Sequence, residues 1–274
     1  MSTIKLVFSD IDGTLLDERH QLTGETKEII QRMNNVGIPT VLASARPPLA
    51  MTKVTKELGL KTPLVCYNGA LIVREEKNKQ FVSLYSLPVE RLDALLIYKL
   101  VKQHCVDVSI SVYSDEHWYV EALDRWHCQE ATITEMRPKI VNLKEFLKDY
   151  HPVHKFLLMG NPETLEIAEE KLRQSELLDV SFYRSKETYL EVTHQQVSKL
   201  TAMILIAQAL HVDLKEILAI GDNYNDLPML VKAGVGVAMG NAPEIVKHSS
   251  DIVTRGNNAV SYTHLRAHET GAYL

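Results

Sequence analysis

Ile4-Lys5-Leu6-Val7-Phe8-Ser9-Asp10-Ile11-Asp12-Gly13-Thr14 is the stretch that decides how the rest of the chain reads. From Ile4 to Phe8 the run is apolar with no in-out alternation and a glycine follows, the pattern of a fully buried strand. Such a strand delivers Asp10 and Asp12 to its carboxyl end, where open α/β sheets bind ligands. One carboxylate can attack an electrophile while its neighbour manages a proton, and both can help hold a divalent cation. Gly13 lets the chain turn sharply, because it tolerates φ > 0. Two solvated aspartates and a turn glycine at an ordinary strand end would look the same, so the surrounding sequence has to decide.

Strands and helices alternate outward from this point. Thr23 reads as the N-cap of a helix over Glu25 to Asn35, with Gly37 as its terminator. Ile38 to Ala43 is a second apolar strand, Pro47 opens a helix that ends near Gly59, and Leu64 to Tyr67 is a third strand. This order implies parallel strands with right-handed crossovers. From Phe81 to about Val192 the strands turn amphipathic. Val106 to Tyr113 and Trp118 to Glu121 flank a hairpin loop at Ser114 to His117, with helices over Glu90 to Gln103 and Pro162 to Ser175. The parallel pattern then resumes. Leu200, Met203, Ile204, Ala207 and Leu210 follow helical spacing, and Ile217 to Ile220 and Val235 to Met239 are strands. The fold class is therefore α/β, a Rossmann-like doubly wound parallel sheet with an inserted α+β module.

A chain of 274 residues has room for two units. Its 45% hydrophobic and 24% charged residues are those of a globular protein, and a net charge of -5 gives no basic footprint for nucleic acid. Cys66, Cys105 and Cys128 form neither a disulfide framework nor a CxxC pair, which points to a reducing compartment. No apolar stretch approaches the ~20 residues that span a bilayer, and the chain enters strand too early for a signal peptide. A cytoplasmic protein with no membrane or nucleic-acid partner is expected.

Four polar clusters fall at or beyond strand ends: Asp10 with Asp12; Ser44-Ala45-Arg46; Lys199; and Gly221-Asp222-Asn223-Tyr224-Asn225-Asp226. Each has an ordinary explanation by itself. Ser44 could cap a helix, Lys199 could be solvated, and Asp222 and Asp226 could be a turn residue and an N-cap. Together they would converge on one crevice of one sheet. They also supply one chemistry: acids for Mg²⁺, a nucleophilic carboxylate, and a hydroxyl, an amide and an ammonium for phosphate oxygens.

With Asn68-Gly69-Ala70, Val197-Ser198-Lys199 and Ala233 to Ala242 added, the chain resembles a haloacid dehalogenase superfamily phosphatase of the Cof-type sugar phosphatase branch. The resemblance runs from about Ile4 to Asn258. It implies a Rossmann-like core over 1–83 and 193–260 with an inserted α/β cap over 84–192. It also implies roles. Asp10 is the nucleophile and a Mg²⁺ ligand, and Asp12 is the general acid/base whose backbone carbonyl also meets the metal. Asp222 is the remaining protein ligand, and Asp226 an acid near the metal. Ser44, Lys199, Asn225 and the amides of Ile11 and Ala45 contact phosphate. Ser44-Ala45-Arg46 stands where the branch often has Thr-Gly-Arg, and Leu200 replaces a frequent glycine.

The expected activity is Mg²⁺-dependent hydrolysis of small phosphorylated metabolites, sugar phosphates first, through an aspartyl-phosphate. A hexose-phosphate mutase and a catalytically silent phosphometabolite-binding regulator are the alternatives. Trp118, Tyr119, Trp126, His127 and Glu191 are candidates for choosing the leaving group, with cap core or cap surface as their other reading. Residues 261–274 resemble translated adapter sequence and read as a non-native or disordered tail.

Overall fold

The structure is a computed structural model that describes residues 3–257. Its elements in chain order begin β1 (Leu6–Ser9), α1 (Gly24–Asn35), β2 (Thr40–Ala43), α2 (Pro48–Leu58), β3 (Leu64–Cys66), β4 (Leu71–Glu75) and β5 (Phe81–Ser86). There follow α3 (Arg91–His104), β6 (Ser109–Ser114), β7 (His117–Val120), α4 (Arg125–Thr134), β8 (Lys139–Ile140), α5 (Leu143–Lys148), β9 (Lys155–Met159), α6 (Pro162–Arg173), β10 (Val180–Lys186) and β11 (Tyr189–His194). The chain closes with α7 (Lys199–Leu210), β12 (Ile217–Gly221), α8 (Leu227–Lys232), β13 (Val235–Ala238), α9 (Glu244–His248) and β14 (Ile252–Val253). Two compact units result among the described residues: one holds 3–45, Met51–Val82 and 198–257, the other Arg46–Ala50 and Ser83–Val197. The expected tail at 261–274 lies outside the described residues.

The first unit is built on an eight-stranded sheet in the order β14-β13-β12-β1-β2-β3-β4-β5. From β14 through β3 every neighbouring pair is parallel; β4 returns antiparallel to β3. β1 lies in the middle, and Leu6, Val7 and Phe8 are at most 1% exposed, as their unbroken apolar run requires. The chain leaves β1 toward β2 and returns to its other side as β12. The order therefore reverses between β1 and β12, the place where doubly wound sheets bind ligands. Parallel pairing also puts the carboxyl ends of β1, β2 and β12 on one edge, and with them the residues after Ser9, Ala43 and Gly221.

Local chemistry sets the helix ends. Thr23 Oγ1 accepts the amide of Thr26 at the start of α1, and Gly37, with φ 85°, turns the chain out at its end. Ser198 Oγ accepts the amide of Thr201, which starts α7 one residue before Lys199.

The second unit has a six-stranded sheet in the order β10-β11-β9-β6-β7-β8, antiparallel except for β7 with β8. Alternate residues of β6, β9 and β11, including Ile110, Val112, Phe156, Leu158, Leu190 and Val192, join Ile97, Val101, Leu143, Leu165 and Leu172 of α3, α5 and α6 in one core. The hairpin expected at Ser114 to His117 is present, with Asp115 at φ 50°. The sequence places the insertion at 84–192, whereas this unit continues to Val197, because β11 stays paired in its sheet as far as His194. Among the described residues no helix is long and apolar enough to cross a membrane.

Candidate active site

Asp10 follows β1, and its amide donates to Ile220 of β12 at 3.0 Å, so the sheet ladder itself fixes its backbone. Its carboxylate is buried and paired with Lys199 Nζ. The same ammonium reaches Asp226 Oδ1 at 2.5 Å, and the lysine side chain is 1% exposed. A cation in the first turn of a helix opposes the helix dipole, and burial without partners would discharge it. Burial does pull the Lys199 ammonium down, but the Asp10 and Asp226 carboxylates outweigh it and hold the pKa above the ordinary lysine value. A solvated lysine at a helix start is therefore excluded.

The loop after β12 folds around Asp226. Its Oδ2 accepts the amides of Asp222 and Asn223, each at 3.0 Å, and its side chain makes no cap bond to α8. The approach is close enough that a Cβ on Gly221 would stand 2.5 Å from Asp226 Cβ, so only glycine fits there. Asp222 is steadied from two other segments. Thr14 Oγ1 donates to its Oδ1 at 2.8 Å, and Asn241 Nδ2 lies 3.4 Å from its Oδ2 while donating to the Gly13 carbonyl at 2.9 Å. Asn241 is held in turn by the amide of Asn257. The Asn241 contacts depend on a loop closing over another, and no local spacing announces them.

Carboxylate oxygens of Asp10, Asp222 and Asp226 all lie within 4.8 Å of one another. With Lys199 as their cation, the three acids carry a surplus of two negative charges when ionised. Burial first, and then the neighbouring Asp226, push the Asp222 carboxyl up to about 6. Burial, partly opposed by Lys199, holds Asp10 well above the usual carboxylate range, with the other aspartates adding to the rise. A cluster of hard oxygens short of two positive charges fits a divalent cation such as Mg²⁺.

The expected metal set shares Asp10 and Asp222 with this cluster, and its other member, Asp12, is expected to contribute a backbone carbonyl and not its side chain. The Asp12 side chain is 41% exposed and faces Ser44 Oγ and His20 Nδ1, each at 3.5 Å. The third clustered carboxylate is Asp226. Ser44 is buried, its amide bonded to Val65 of β3, which places its hydroxyl on the same sheet edge. Asn225 is half-buried between the two acids of its loop, and its Nδ2 donates to Asn68 Oδ1 at 3.0 Å. Ile11 is buried directly after Asp10, and Ala45 follows Ser44. In the second unit Trp118 stacks on Tyr113 and leans on His127, while Tyr119 packs on Phe146. Trp118, His127 and Tyr119 thus serve that unit's own packing, and Arg125 lies over the Trp126 ring. Glu191 faces Lys155 at 3.4 Å, both buried.

The sequence profile of the haloacid dehalogenase-like hydrolases matches residues 7–262. The chain belongs to this family. It is 33% identical over 255 residues to a Haemophilus influenzae relative named only as a candidate phosphatase, covering 93% of this chain and 94% of the other. Two relatives at 26% identity carry substrates in their names. They are the 5-amino-6-(5-phospho-D-ribitylamino)uracil phosphatase YcsE of Bacillus subtilis and the pyridoxal phosphate phosphatase YbhA of Escherichia coli. The first match covers 93% of this chain and 91% of its own, the second 96% and 99%. The crystal structure of a haloacid dehalogenase-like hydrolase from Bacteroides thetaiotaomicron superposes with a TM-score of 0.85 at 28% identity, covering 97% of this chain and all of that one. The α/β architecture is that of the family, and the chain is a haloacid dehalogenase-like phosphatase, a phosphoric monoester hydrolase.

Proposed function

We propose that this phosphatase is Mg²⁺-dependent and hydrolyses small sugar phosphates and similar metabolites through an aspartyl-phosphate on Asp10. The carrying observation is a buried strand-end carboxylate, Asp10, paired with Lys199, with the solvent-reaching Asp12 two residues on. In the first step an Asp10 oxygen attacks phosphorus in line as the ester P–O bond breaks, and Asp12 gives its proton to the departing alkoxide. In the second, Asp12 takes a proton from the water that attacks the aspartyl-phosphate, releasing inorganic phosphate and regenerating Asp10. Asp12 reaches solvent, the source of the attacking water that restores its proton.

Lys199, Ser44, Asn225 and the amides of Ile11 and Ala45 are the proposed donors to the phosphoryl oxygens. Asp10, Asp222 and the backbone carbonyl of Asp12 are the proposed Mg²⁺ ligands. Both Asp226 oxygens are already engaged, by Lys199 and by two amides, so Asp226 is assigned to holding the lysine and the loop. When bound, the ion neutralises the charge surplus that would otherwise repel a phosphate dianion.

Residues 83–197 are proposed to be the inserted cap domain that the family resemblance implies. A cytoplasmic site of action accompanies this reading, supported by three free cysteines. The substrate names of YcsE and YbhA support phosphate monoesters of small organic molecules, one of them a phosphorylated sugar alcohol. The test is phosphate release from a panel of phosphorylated metabolites with Mg²⁺, repeated with Asp10→Asn. Turnover of sugar phosphates that disappears in the variant is expected. No release from any monoester, or an Asp10→Asn enzyme within about tenfold of wild type, would overturn the reading.

A further inference from the structure

Three consecutive residues after β3 have left-handed backbones: Tyr67 at φ 51°, Asn68 at 58° and Gly69 at 111°. Tyr67 carries a bulky side chain that disfavours this region, so the surroundings must impose it there. Tyr67 is fully buried, and the amide of Asn68 donates to the Ser44 carbonyl at 2.9 Å. A Cβ on Gly69 would stand 2.5 Å from the Ser198 carbonyl oxygen, so the loop presses against the cap of α7. The strained turn thus touches the segments that carry Ser44 and Lys199, and through its side chain it touches a third. Asn225 Nδ2 donates to Asn68 Oδ1, while Asn225 Oδ1 is buried with no hydrogen-bond partner among the described residues.

We infer that Asn68 is a positioning residue that sets which end of the Asn225 amide meets the substrate phosphate. This rests on the phosphate-contact role proposed for Asn225. An amide offers a donor at one end and an acceptor at the other. With its Nδ2 committed to Asn68, Asn225 presents its unpaired oxygen elsewhere, which would repel an anion. Turning the Asn225 amide over points Nδ2 at the phosphoryl oxygen, and Asn68 must then donate where it had accepted. A second amide can do both at the same 3.0 Å separation, whereas a carboxylate can only accept. Asparagine is also among the few residues with a side chain that readily take the backbone found at position 68. One residue therefore satisfies the strained turn and the reversible contact together.

The experiment compares Asn68→Gly, Asn68→Asp, Asn225→Ala and the two doubles with Asn225→Ala, reading competitive inhibition by inorganic phosphate and KM for p-nitrophenyl phosphate. Glycine and aspartate both tolerate the left-handed backbone, so the side chain changes while the turn is kept. Asn68→Gly should weaken phosphate binding by about threefold to tenfold, and Asn68→Asp by more, because a carboxylate only accepts and locks Asn225 the wrong way round. In the Asn225→Ala background neither change should cost anything further. Additive losses in the doubles, or Asn68→Asp milder than Asn68→Gly, would overturn the inference while leaving the phosphate role of Asn225 standing. If Asn225→Ala alone leaves phosphate inhibition unchanged, that role fails and the inference with it, although Asp10 chemistry is untouched. Should Asn68→Gly not fold, Asn68→Asp against its double carries the same comparison.

Discussion

Lys199 Nζ sits 2.5 Å from Asp226 Oδ1 with both side chains 1% exposed, and the same nitrogen holds the proposed nucleophile Asp10. Replacing Lys199 by methionine leaves the acids buried without their cation. Stripping one partner from a buried ion pair costs about 3–5 kcal/mol, so Lys199→Met should melt well below wild type in EDTA. Mg²⁺ should then raise its midpoint more than it raises that of wild type, because more uncompensated charge awaits it. Turnover should fall by roughly 10²-fold or more, as for loss of a charge-stabilising donor. Equal Mg²⁺ shifts in the two proteins, measured by thermal melting, would count against the charge-surplus account.

Asp12→Asn removes the proposed proton donor while nearly preserving the size and shape of a partly exposed side chain. A phenolate leaves without a proton more readily than a sugar alkoxide does. The ratio of kcat/KM for p-nitrophenyl phosphate over a sugar phosphate should therefore rise by about tenfold or more in the variant. An unchanged ratio, with phosphoryl transfer shown to limit both reactions, would remove the acid role from Asp12.

Gly13→Ala strikes the Asp222 carboxylate. Gly13 has φ 81°, and an added Cβ would fall on Asp222 Oδ2, displacing a carboxylate that Thr14 holds at Oδ1 and Asn241 at Oδ2. The left-handed backbone costs alanine about 1–2 kcal/mol, a modest drop in melting temperature. Displacement of Asp222 should show separately, as about a tenfold higher Mg²⁺ concentration for half-maximal activity. A normal Mg²⁺ titration with only kcat reduced would place the damage elsewhere.

His154 predicts the acid sensitivity of the second unit. Its Nδ1 accepts the amide of Asp115, its Nε2 meets Ser86 Oγ at 2.9 Å, and burial lowers its pKa from 6.5 to about 4. The folded protein thus refuses a proton that the unfolded chain accepts below about pH 6.5. Its contribution is complete above that pH, declines as the pH falls toward 4, and totals about 3 kcal/mol. Asn can still accept the Asp115 amide but does not titrate. Urea melts from pH 7 to pH 4.5 should show His154→Asn losing less stability than wild type over that window; parallel losses would exclude His154 as the cause.

Asp10, Ser44, Asp222 and Asp226 were legible in the sequence because parallel strands bring their carboxyl ends, and the loops after them, to one edge, and Lys199 because it opens α7, the helix that leads into β12. Spacing alone could not divide labour among the acids. Asp226 reads equally well as an N-cap, and only its bonds to Lys199 and to two amides show that the side chain turns away from α8. Thr14 and Asn241 escaped as partners of Asp222 because they reach it from 208 and 19 residues away. β9, a central strand of the second sheet, was missed as well. His154 and Lys155 stand at its start and hide the apolar run from Phe156 to Met159, whose length fits strand or helix alike. β4, the strand that turns antiparallel, has its signal in the connection before it: the four residues Tyr67 to Ala70, with Asn68-Gly69 among them, are too few for the crossover a parallel strand needs.

The place of β1 at the middle of its sheet has a consequence for biosynthesis. One flank pairs with β2 at once, but the other waits for β12, which begins at Ile217. At cellular rates of about 5–20 residues per second, some 200 further residues take on the order of ten seconds or more to emerge. Throughout that interval the nascent chain offers an open, apolar strand edge of the kind that pairs with other chains. The segment from β6 to β11, whose sheet pairs only within itself, can meanwhile complete its own ladder on the ribosome. Newly made protein should therefore depend on chaperones chiefly during that interval, when five of the sheet's eight strands exist and its closing strands do not.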